Sequence, residues 1–246
     1  MGKKFSVILK FNLFVFCLVT FNSAVNAREE RQLGNCSTFI SGRTLIVNGT
    51  EIANSIEIKS GDRLIQIICD GVTENFNGIE VVTIEAGDGD DTVNVNNNDG
   101  FLDEIKITVL GQEGHDIFEW SKVQEIRPAR QTLFDHSFDG GFGDDLLLIT
   151  TSVLGEKFDI VPGREENSIQ VEVIDIAQKT KLADIRGSEL EILNVKMGDG
   201  NDQAIISHFP EISLNILGQE GDESVTLAEI IIEILPPGPA VTVVDL

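Results

Sequence analysis

Five segments of this chain repeat one short pattern, and that repetition constrains the fold more than any other feature. Each segment has two glycines separated by one or two residues, then an acidic residue and then an apolar residue. The segments are AGDGDDTV (86–93), GQEGHDIF (111–118), GGFGDDLL (140–147), MGDGNDQA (197–204) and GQEGDESV (218–225). Glycine and aspartate are typical of tight turns, so the pattern predicts five turns that each lead into a strand.

Short runs rich in isoleucine, valine and threonine lie between these turns. Examples are TLIV (44–47), EVVTI (80–84), IKITVL (105–110) and ISLNIL (212–217). Apolar and polar residues alternate along them with a period of two, which is typical of strands. No segment of the sequence has a convincing helical stripe with capping residues. The chain is therefore predicted to be all-β.

The spacing of the turns indicates how the strands are arranged. Successive acidic turn residues lie 25 residues apart (Asp91 to Asp116), 29 apart (Asp116 to Asp145) and 21 apart (Asp202 to Glu223). A repeat of about 20 to 30 residues matches one coil of a parallel β-solenoid, with each strand stacked on the coil before it. A β-sandwich, with turns every 8 to 12 residues or so, is the alternative.

Internal similarity also predicts the domain organisation. LGQEG occurs at 110–114 and again at 217–221, each time after an alternating strand. We therefore expect two related solenoid halves, 28–145 and 146–235, followed by an extended tail at 236–246.

The first 27 residues have the features of a signal peptide. Lys3 and Lys4 precede an apolar stretch at 11–19, and Val25 and Ala27 place small residues at the −3 and −1 positions of a cleavage site. We expect a mature chain that begins at Arg28 and is secreted, periplasmic or attached to the cell surface. No later segment is apolar for long enough to span a bilayer, so no membrane span is expected after the signal is removed.

The charge of the chain restricts its partners. The net charge is −23, and without the three lysines of the signal peptide 15 basic residues face 41 acidic ones, giving −26. Such a surface repels nucleic acid and anionic membranes and attracts cations. The hydrophobic content of 41% argues against a disordered acidic chain.

The third turn carries a resemblance to a known family. Residues 140–148, GGFGDDLLL, match the pattern G-G-x-G-x-D-x-U-x, where U is large and apolar. This pattern is that of the RTX, or haemolysin-type, calcium-binding repeat, and the other four turns resemble it with one or two departures each. The resemblance implies a β-roll or parallel β-solenoid with Ca²⁺ as its cofactor. In that family the repeats run in tandem, whereas here no two copies are adjacent, so any site must form between turns of longer coils.

The chemistry of the turns is consistent with a calcium ligand set. Glycine allows backbone carbonyl oxygens to turn inward, the aspartate adds a carboxylate, and Ca²⁺ prefers six to eight or so oxygen ligands. The candidate metal ligands are Gly87, Asp88, Gly89, Asp90, Asp91, Gly111, Glu113, Gly114, Asp116, Gly140, Gly141, Gly143, Asp144, Asp145, Gly198, Asp199, Gly200 and Asp202. The alternative is that these are plain acidic turns that hold no metal.

Other side chains receive structural interpretations. His115, His136 and His208 are expected to be surface histidines, and Lys122, Arg127 and Arg130 an exposed connection between the halves. Trp120 and the phenylalanines at 118, 134, 138 and 142 are expected to fill the core or to cover a solenoid end. Cys36 and Cys69 remain after signal removal, and a disulfide between them is compatible with an oxidising compartment, although sequence does not show that they are close.

These features together predict a function. We expect a non-enzymatic calcium-binding structural or adhesive protein, whose partners are calcium ions and components of the cell surface or matrix, with no nucleic acid. A β-helical enzyme that acts on polysaccharide is one alternative, and a fragment of a larger surface adhesin is another. No nucleophile or metalloprotease motif occurs in the sequence.

Overall fold

The computed structural model describes most of the chain between residues 30 and 244. The described ranges are 30–61, 64–97, 101–122, 136–151, 155–164, 168–177, 179–207, 212–218, 224–227 and 241–244. Within them the chain forms twenty β-strands and one short 3₁₀ turn, Leu102–Glu104, and contains no α-helix. The all-β prediction is confirmed.

The first ten strands are β1 (Glu30–Leu33), β2 (Cys36–Ser41), β3 (Thr44–Asn48), β4 (Ser55–Gly61), β5 (Leu64–Cys69), β6 (Val72–Phe76), β7 (Val81–Glu85), β8 (Thr92–Asn96), β9 (Lys106–Glu113) and β10 (Ile117–Ser121). The next ten are β11 (His136–Phe142), β12 (Leu146–Thr150), β13 (Glu156–Pro162), β14 (Ser168–Asp175), β15 (Thr180–Ser188), β16 (Ile192–Lys196), β17 (Gln203–Ile206), β18 (Ser213–Leu217), β19 (Ser224–Leu227) and β20 (Val241–Val244).

The strands form two open sheets. The eleven-stranded sheet has the order β1-β2-β3-β7-β9-β11-β15-β14-β13-β17-β19. The nine-stranded sheet has the order β20-β18-β16-β12-β10-β8-β4-β5-β6. From β7 to β12 the chain alternates between the sheets, and each new strand pairs in parallel with the strand two before it.

Three antiparallel sets interrupt the parallel stacking, which differs from the uniformly parallel prediction. They are β1–β2–β3, β4–β5–β6 and β13–β14–β15. Turn chemistry explains the set β4–β6, because Asp70 and Gly71 join β5 to β6 with positive φ angles of 48° and 82°. An Asp-Gly pair between alternating strands is a strong hairpin signal, and such a hairpin pairs its strands antiparallel.

The core lies between the two sheets. Alternate residues of most described strands are buried, as along β8 and β16, and they join one apolar cluster. Phe118 of the nine-stranded sheet packs on Phe138 of the eleven-stranded sheet, with 5.8 Å between ring centroids. Trp120 is buried as well, so these three aromatic residues fill the core as predicted. Phe142 does not: it is the last residue of β11 and is 81% exposed.

The predicted division into halves stays a prediction. The nine-stranded sheet runs through the proposed boundary at 145/146, because β12 pairs with β10 on one side and with β16 on the other. The predicted tail contributes β20, which pairs in parallel with β18. Several predictions fall outside the described residues. They concern the predicted signal peptide at 1–27 and the side chains of Arg127, Arg130, Phe134 and His208. None of the helical structure in the described residues is long and apolar enough to cross a membrane.

A disulfide joins the two sheets near the start of the mature chain. Cys36 in β2 and Cys69 in β5 are bonded, with 6.1 Å between their Cα atoms, and both are fully buried. The bond closes a loop with a sequence separation of 33 residues, so it removes conformational freedom from the unfolded chain.

Replacing both Cys36 and Cys69 by serine is expected to lower the free energy of unfolding by about 3 kcal/mol, since the loop-closure constraint is lost. Urea unfolding of the mature chain with and without reductant measures this loss. Reductant should destabilise the parent protein and leave the double-serine variant unchanged; equal stability of all four samples would contradict a native disulfide.

Candidate functional site

Three of the five acidic turns bring their aspartates into one column. Asp91, Asp116 and Asp145 each precede the first residue of β8, β10 and β12, and those first residues pair directly in the sheet. The same register places Asn54 before β4 at one end and Glu191 before β16 at the other. We refer to these five residues as the aspartate column.

Each carboxylate in the column accepts a hydrogen bond from the main-chain N–H of the column residue that precedes it in the sequence. The N–H of Asn54 donates to Oδ1 of Asp91 at 2.6 Å, and the N–H of Asp91 donates to Oδ1 of Asp116 at 2.8 Å. The N–H of Asp116 donates to Oδ1 of Asp145 at 2.7 Å, and the N–H of Asp145 donates to Oε2 of Glu191 at 2.6 Å. One oxygen of every carboxylate therefore helps to fix the register between adjacent strands of the nine-stranded sheet.

The second oxygen of the three aspartates has no such role. Asp91, Asp116 and Asp145 are at most 1% exposed, and Oδ2 of each is buried without a hydrogen-bond partner. A buried charged oxygen without a partner costs several kcal/mol, in round terms, unless a proton or a cation is supplied. A proton or a cation beside these Oδ2 atoms would therefore stabilise the column.

The pKa values of the three carboxyls reflect this burial. Loss of solvent raises the pKa of Asp91 to about 7 and that of Asp116 to about 6, and it also raises the pKa of Asp145. The main-chain N–H donors oppose the shift, while the neighbouring carboxylates of the column add to it. Stacked carboxylates about 4.8 Å apart would repel by about 3.5 kcal/mol per pair at an effective dielectric of 20.

Glycines make room for the unpartnered oxygens. A Cβ on Gly111 would overlap both Oδ2 of Asp116 and the carbonyl oxygen of Gly140. A Cβ on Gly140 would likewise overlap Oδ2 of Asp145 and the carbonyl oxygen of Glu189. In each case a carboxylate oxygen and a carbonyl oxygen from the next coil converge over one glycine. Ala86 occupies the corresponding place in the first turn.

The fourth turn does not lie in register with the first three. Asp202 follows β16 of the nine-stranded sheet and precedes β17 of the eleven-stranded sheet, where Gln203 pairs with Lys157. The first three turns pass between the sheets in the opposite order, so the fourth turn lies at the opposite end of the strands. There the N–H of Glu156 donates to Oδ1 of Asp202 at 2.7 Å. Residues 219–223 of the fifth turn lie outside the described ranges.

The remaining predicted ligands divide by position. Side chains of the acidic residues that do not enter the column are exposed: Asp88, Asp90, Glu113, Asp144 and Asp199. A positive φ is found at Gly87, Gly89, Gly114, Gly141, Gly143 and Gly200, as turns of this type require. Outside the column, Oδ1 of Asp90 accepts from the N–H of His115, and Nδ1 of His115 accepts from the N–H of Asp144.

The donor chemistry of the column fits a hard divalent cation. Unpartnered carboxylate oxygens and main-chain carbonyl oxygens are the groups that Ca²⁺ prefers. Asp116 with Gly140 and Asp145 with Glu189 are the pairs that could contribute to such a site. In the described ranges, no group of three or more His, Cys, Asp or Glu side chains is placed to hold a metal ion. A calcium ion here would thus depend on carbonyl oxygens as well as carboxylates.

Two residues that we expected at the surface are buried instead. His136 accepts a hydrogen bond at Nδ1 from Nε1 of Trp120 at 2.9 Å, and burial lowers its pKa. Lys122 is buried and donates to Oδ2 of Asp103 at 2.8 Å. Alternation along β10 could have indicated this, because Phe118, Trp120 and Lys122 are two residues apart and share one face.

Sequence reasoning also missed a cavity on the eleven-stranded sheet. It has a volume of about 400 Å³ and is lined by Thr108, Ser137, Arg164 and Arg186, among others. Among its described lining residues Asp139 is the one carboxylate. The lining residues come from strands far apart in the sequence, which is why no local motif marks the cavity.

Comparisons of the chain with protein-family models, with curated proteins and with solved structures give no match. The function must therefore be argued from the column and its surroundings.

Without calcium, the free energy of unfolding is expected to fall as pH rises from about 4 to about 7. Asp91 holds its proton to about pH 7 when folded but only to its ordinary pKa of 3.8 when unfolded, so the folded state loses this advantage across that window. Urea unfolding in chelator at several pH values measures the slope. Asp91→Asn should reduce it by up to about 1.4 kcal/mol per pH unit, while Glu51→Gln, an exposed change of equal charge, should not. An identical slope in Asp91→Asn and the parent would contradict a buried carboxyl.

Adding a methyl group at Gly111 is expected to destabilise the fold. Gly111→Ala pushes a Cβ into Oδ2 of Asp116 and the Gly140 carbonyl, which should lower the free energy of unfolding by about 3 kcal/mol. Gly61→Ala is the matched control, because nothing lies within 4 Å of its Cβ position, and its effect should stay within about 0.5 kcal/mol. Equal effects of the two substitutions would show that the oxygens do not converge over Gly111.

Proposed function

We propose that the protein is a secreted β-solenoid with a structural or adhesive role, and that its aspartate column binds calcium. The observation that carries this proposal is the in-register stack of Asp91, Asp116 and Asp145, each with one buried oxygen that lacks a partner. Parallel strands that alternate between two facing sheets support the solenoid. The resemblance of residues 140–148 to the RTX repeat supports calcium as the cation.

A bound calcium ion would supply the positive charge that a proton supplies in its absence. Asp91, Asp116 and Asp145 accept main-chain hydrogen bonds with Oδ1 and keep Oδ2 buried, so they orient the oxygens before any cation arrives. Gly111 and Gly140 leave space in which carboxylate and carbonyl oxygens approach each other. Protons and calcium therefore compete for the same oxygens, which couples calcium affinity to pH.

Several observations favour a structural over a catalytic role. The three carboxylates are nearly inaccessible to solvent, so they cannot contact a polysaccharide. The alternative of a β-helical polysaccharide enzyme predicts a groove lined by several carboxylates, whereas the described lining of the cavity holds one. The disulfide supports an extracellular or periplasmic setting, where calcium is abundant. A cation that neutralises the coil edge would stiffen the structure for contact with cell-surface or matrix components.

Calcium is expected to stabilise the mature chain at the column. Extracellular calcium modules bind with dissociation constants of roughly 10⁻⁴ to 10⁻³ M, so 10 mM or so of calcium should add about 1 to 3 kcal/mol per site over a chelator control. Thermal melting followed by circular dichroism measures this, and the gain should be larger at pH 8 than at pH 6 because protons compete.

Substitutions test whether the gain belongs to the column. Asp116→Asn and Asp145→Asn should each reduce the calcium-dependent rise in melting temperature, and an amide is tolerated in the column because Asn54 already occupies one position of it. Glu51→Gln removes an equal charge from an exposed site and should keep the full rise. A rise that persists undiminished in both aspartate variants would place calcium elsewhere, and the absence of any rise would remove calcium from the proposal.

A further inference from the structure

A second polar cluster is buried at the other end of the same strands. Asn97 follows β8 and Lys122 follows β10, and the N–H of Asn97 donates to the carbonyl oxygen of Ser121 at 2.8 Å. The two residues therefore occupy neighbouring positions on adjacent coils. Asn97 is fully buried and Lys122 is 5% exposed. An amine nucleophile and a carboxamide are thus held side by side away from water.

Asp103 connects the two groups. Its Oδ1 accepts from Nδ2 of Asn97 at 2.6 Å, and its Oδ2 accepts from Nζ of Lys122 at 2.8 Å. The two oxygens of one carboxylate thus contact both nitrogens, so a single group can carry a proton from one to the other. In addition, the N–H of Leu102 donates to Oδ1 of Asn97 at 3.1 Å. That donor lies where negative charge develops if the carboxamide is attacked.

We propose that Lys122 and Asn97 form an intramolecular isopeptide bond, with Asp103 as the proton carrier. Asp103 takes a proton from the Lys122 ammonium group, and the resulting amine attacks Cγ of Asn97. Asp103 then returns that proton to Nδ2, and the second proton lost from Nζ follows the same route. The C–Nδ2 bond breaks as the Nζ–C amide bond forms, ammonia leaves as ammonium, and Asp103 ends as the carboxylate it was at the start.

The surroundings favour this reaction over a simple buried ion pair. Attack by an amine is favoured where water is excluded and where the reacting groups are held in place. Lys122 is held by two contacts, since Nζ also donates to the carbonyl oxygen of Leu182 at 3.0 Å. The product would link β8 to β10 covalently at the end of the strands opposite the aspartate column.

The intact mass of the mature, folded protein tests the proposal. The polypeptide is expected to be lighter than its sequence by the mass of one ammonia molecule, beyond the two hydrogens lost at the disulfide. Tandem mass spectrometry after proteolysis should show a branched peptide that joins Lys122 to Asn97. The branched peptide is needed because an asparagine before glycine, as in Asn48-Gly49 or Asn77-Gly78, can lose ammonia by forming a succinimide.

Variants separate the possible results. Lys122→Arg keeps a cation opposite Asp103 but provides no such nucleophile, and Asp103→Asn removes the proton carrier; both should have the full mass at this site. Lys157→Arg, at the surface ion pair with Asp159, should keep the mass deficit of the parent. A parent protein with full mass and an unmodified Lys122 peptide would overturn the proposal. A deficit of one water molecule, with Lys122 joined to Asp103, would overturn it as well.

Discussion

The hydrogen bond from each column residue to the next carboxylate is the contact on which the rest of this structure depends. Parallel strands have no turn between them that fixes their register, and a slip of one residue would reverse which side chains face the core. The N–H groups of Asn54, Asp91 and Asp116 each find an acceptor in the coil that follows. When the acceptor carboxylate is ionised, these bonds are stronger than ordinary main-chain bonds. The column therefore aligns coils whose lengths differ.

The same stacking of carboxylates creates an electrostatic problem, and the proposed function rests on it. Carboxylates in register repeat at the spacing of the strands, and their inner oxygens face the protein rather than water. Either protons or a divalent cation must accompany them, and the solution conditions decide which. A secreted protein meets calcium at higher concentration than a cytosolic one, so its stability would respond to calcium and pH together. Under the proposed function, the fold and the binding of an ion would be two consequences of the same stack of side chains.

The sequence predicted the parts of this arrangement that are local. Period-two alternation identified the strands, Gly-x-Gly-x-Asp identified the turns at Asp91 and Asp145, and Gly-x-x-Gly-x-Asp identified the turn at Asp116. The turn pattern did not identify the two ends of the column, Asn54 and Glu191. These residues lie outside the pattern, and only the register of the strands places them in the column. The Asp70-Gly71 dipeptide is a signal for the antiparallel hairpin of β5 and β6, whereas the repeat pattern favoured parallel strands throughout.

The errors share a physical cause. Asp202 follows the same Gly-Asp-Gly tripeptide as Asp91 but lies at the opposite end of the strands. The order in which a turn connects the two sheets is a property of the topology and not of the turn. Phe142 was assigned to the core or to a covered solenoid end by its residue type. It is instead the last residue of β11, and its side chain is exposed to solvent. His136 and Lys122 were assigned to the surface by type, and tertiary partners far along the chain bury them.

The most direct test of the central claim is the ionisation of the column itself. Carbon-13 NMR of the aspartate side-chain carboxyls, followed against pH in chelator, should show at least one group that titrates near pH 7, and this signal should be missing from the Asp91→Asn variant. With saturating calcium the same group should remain ionised well below that pH. If every aspartate in the folded protein titrates near 4, as is usual for aspartate, with or without calcium, the inner oxygens are solvated and the account is wrong.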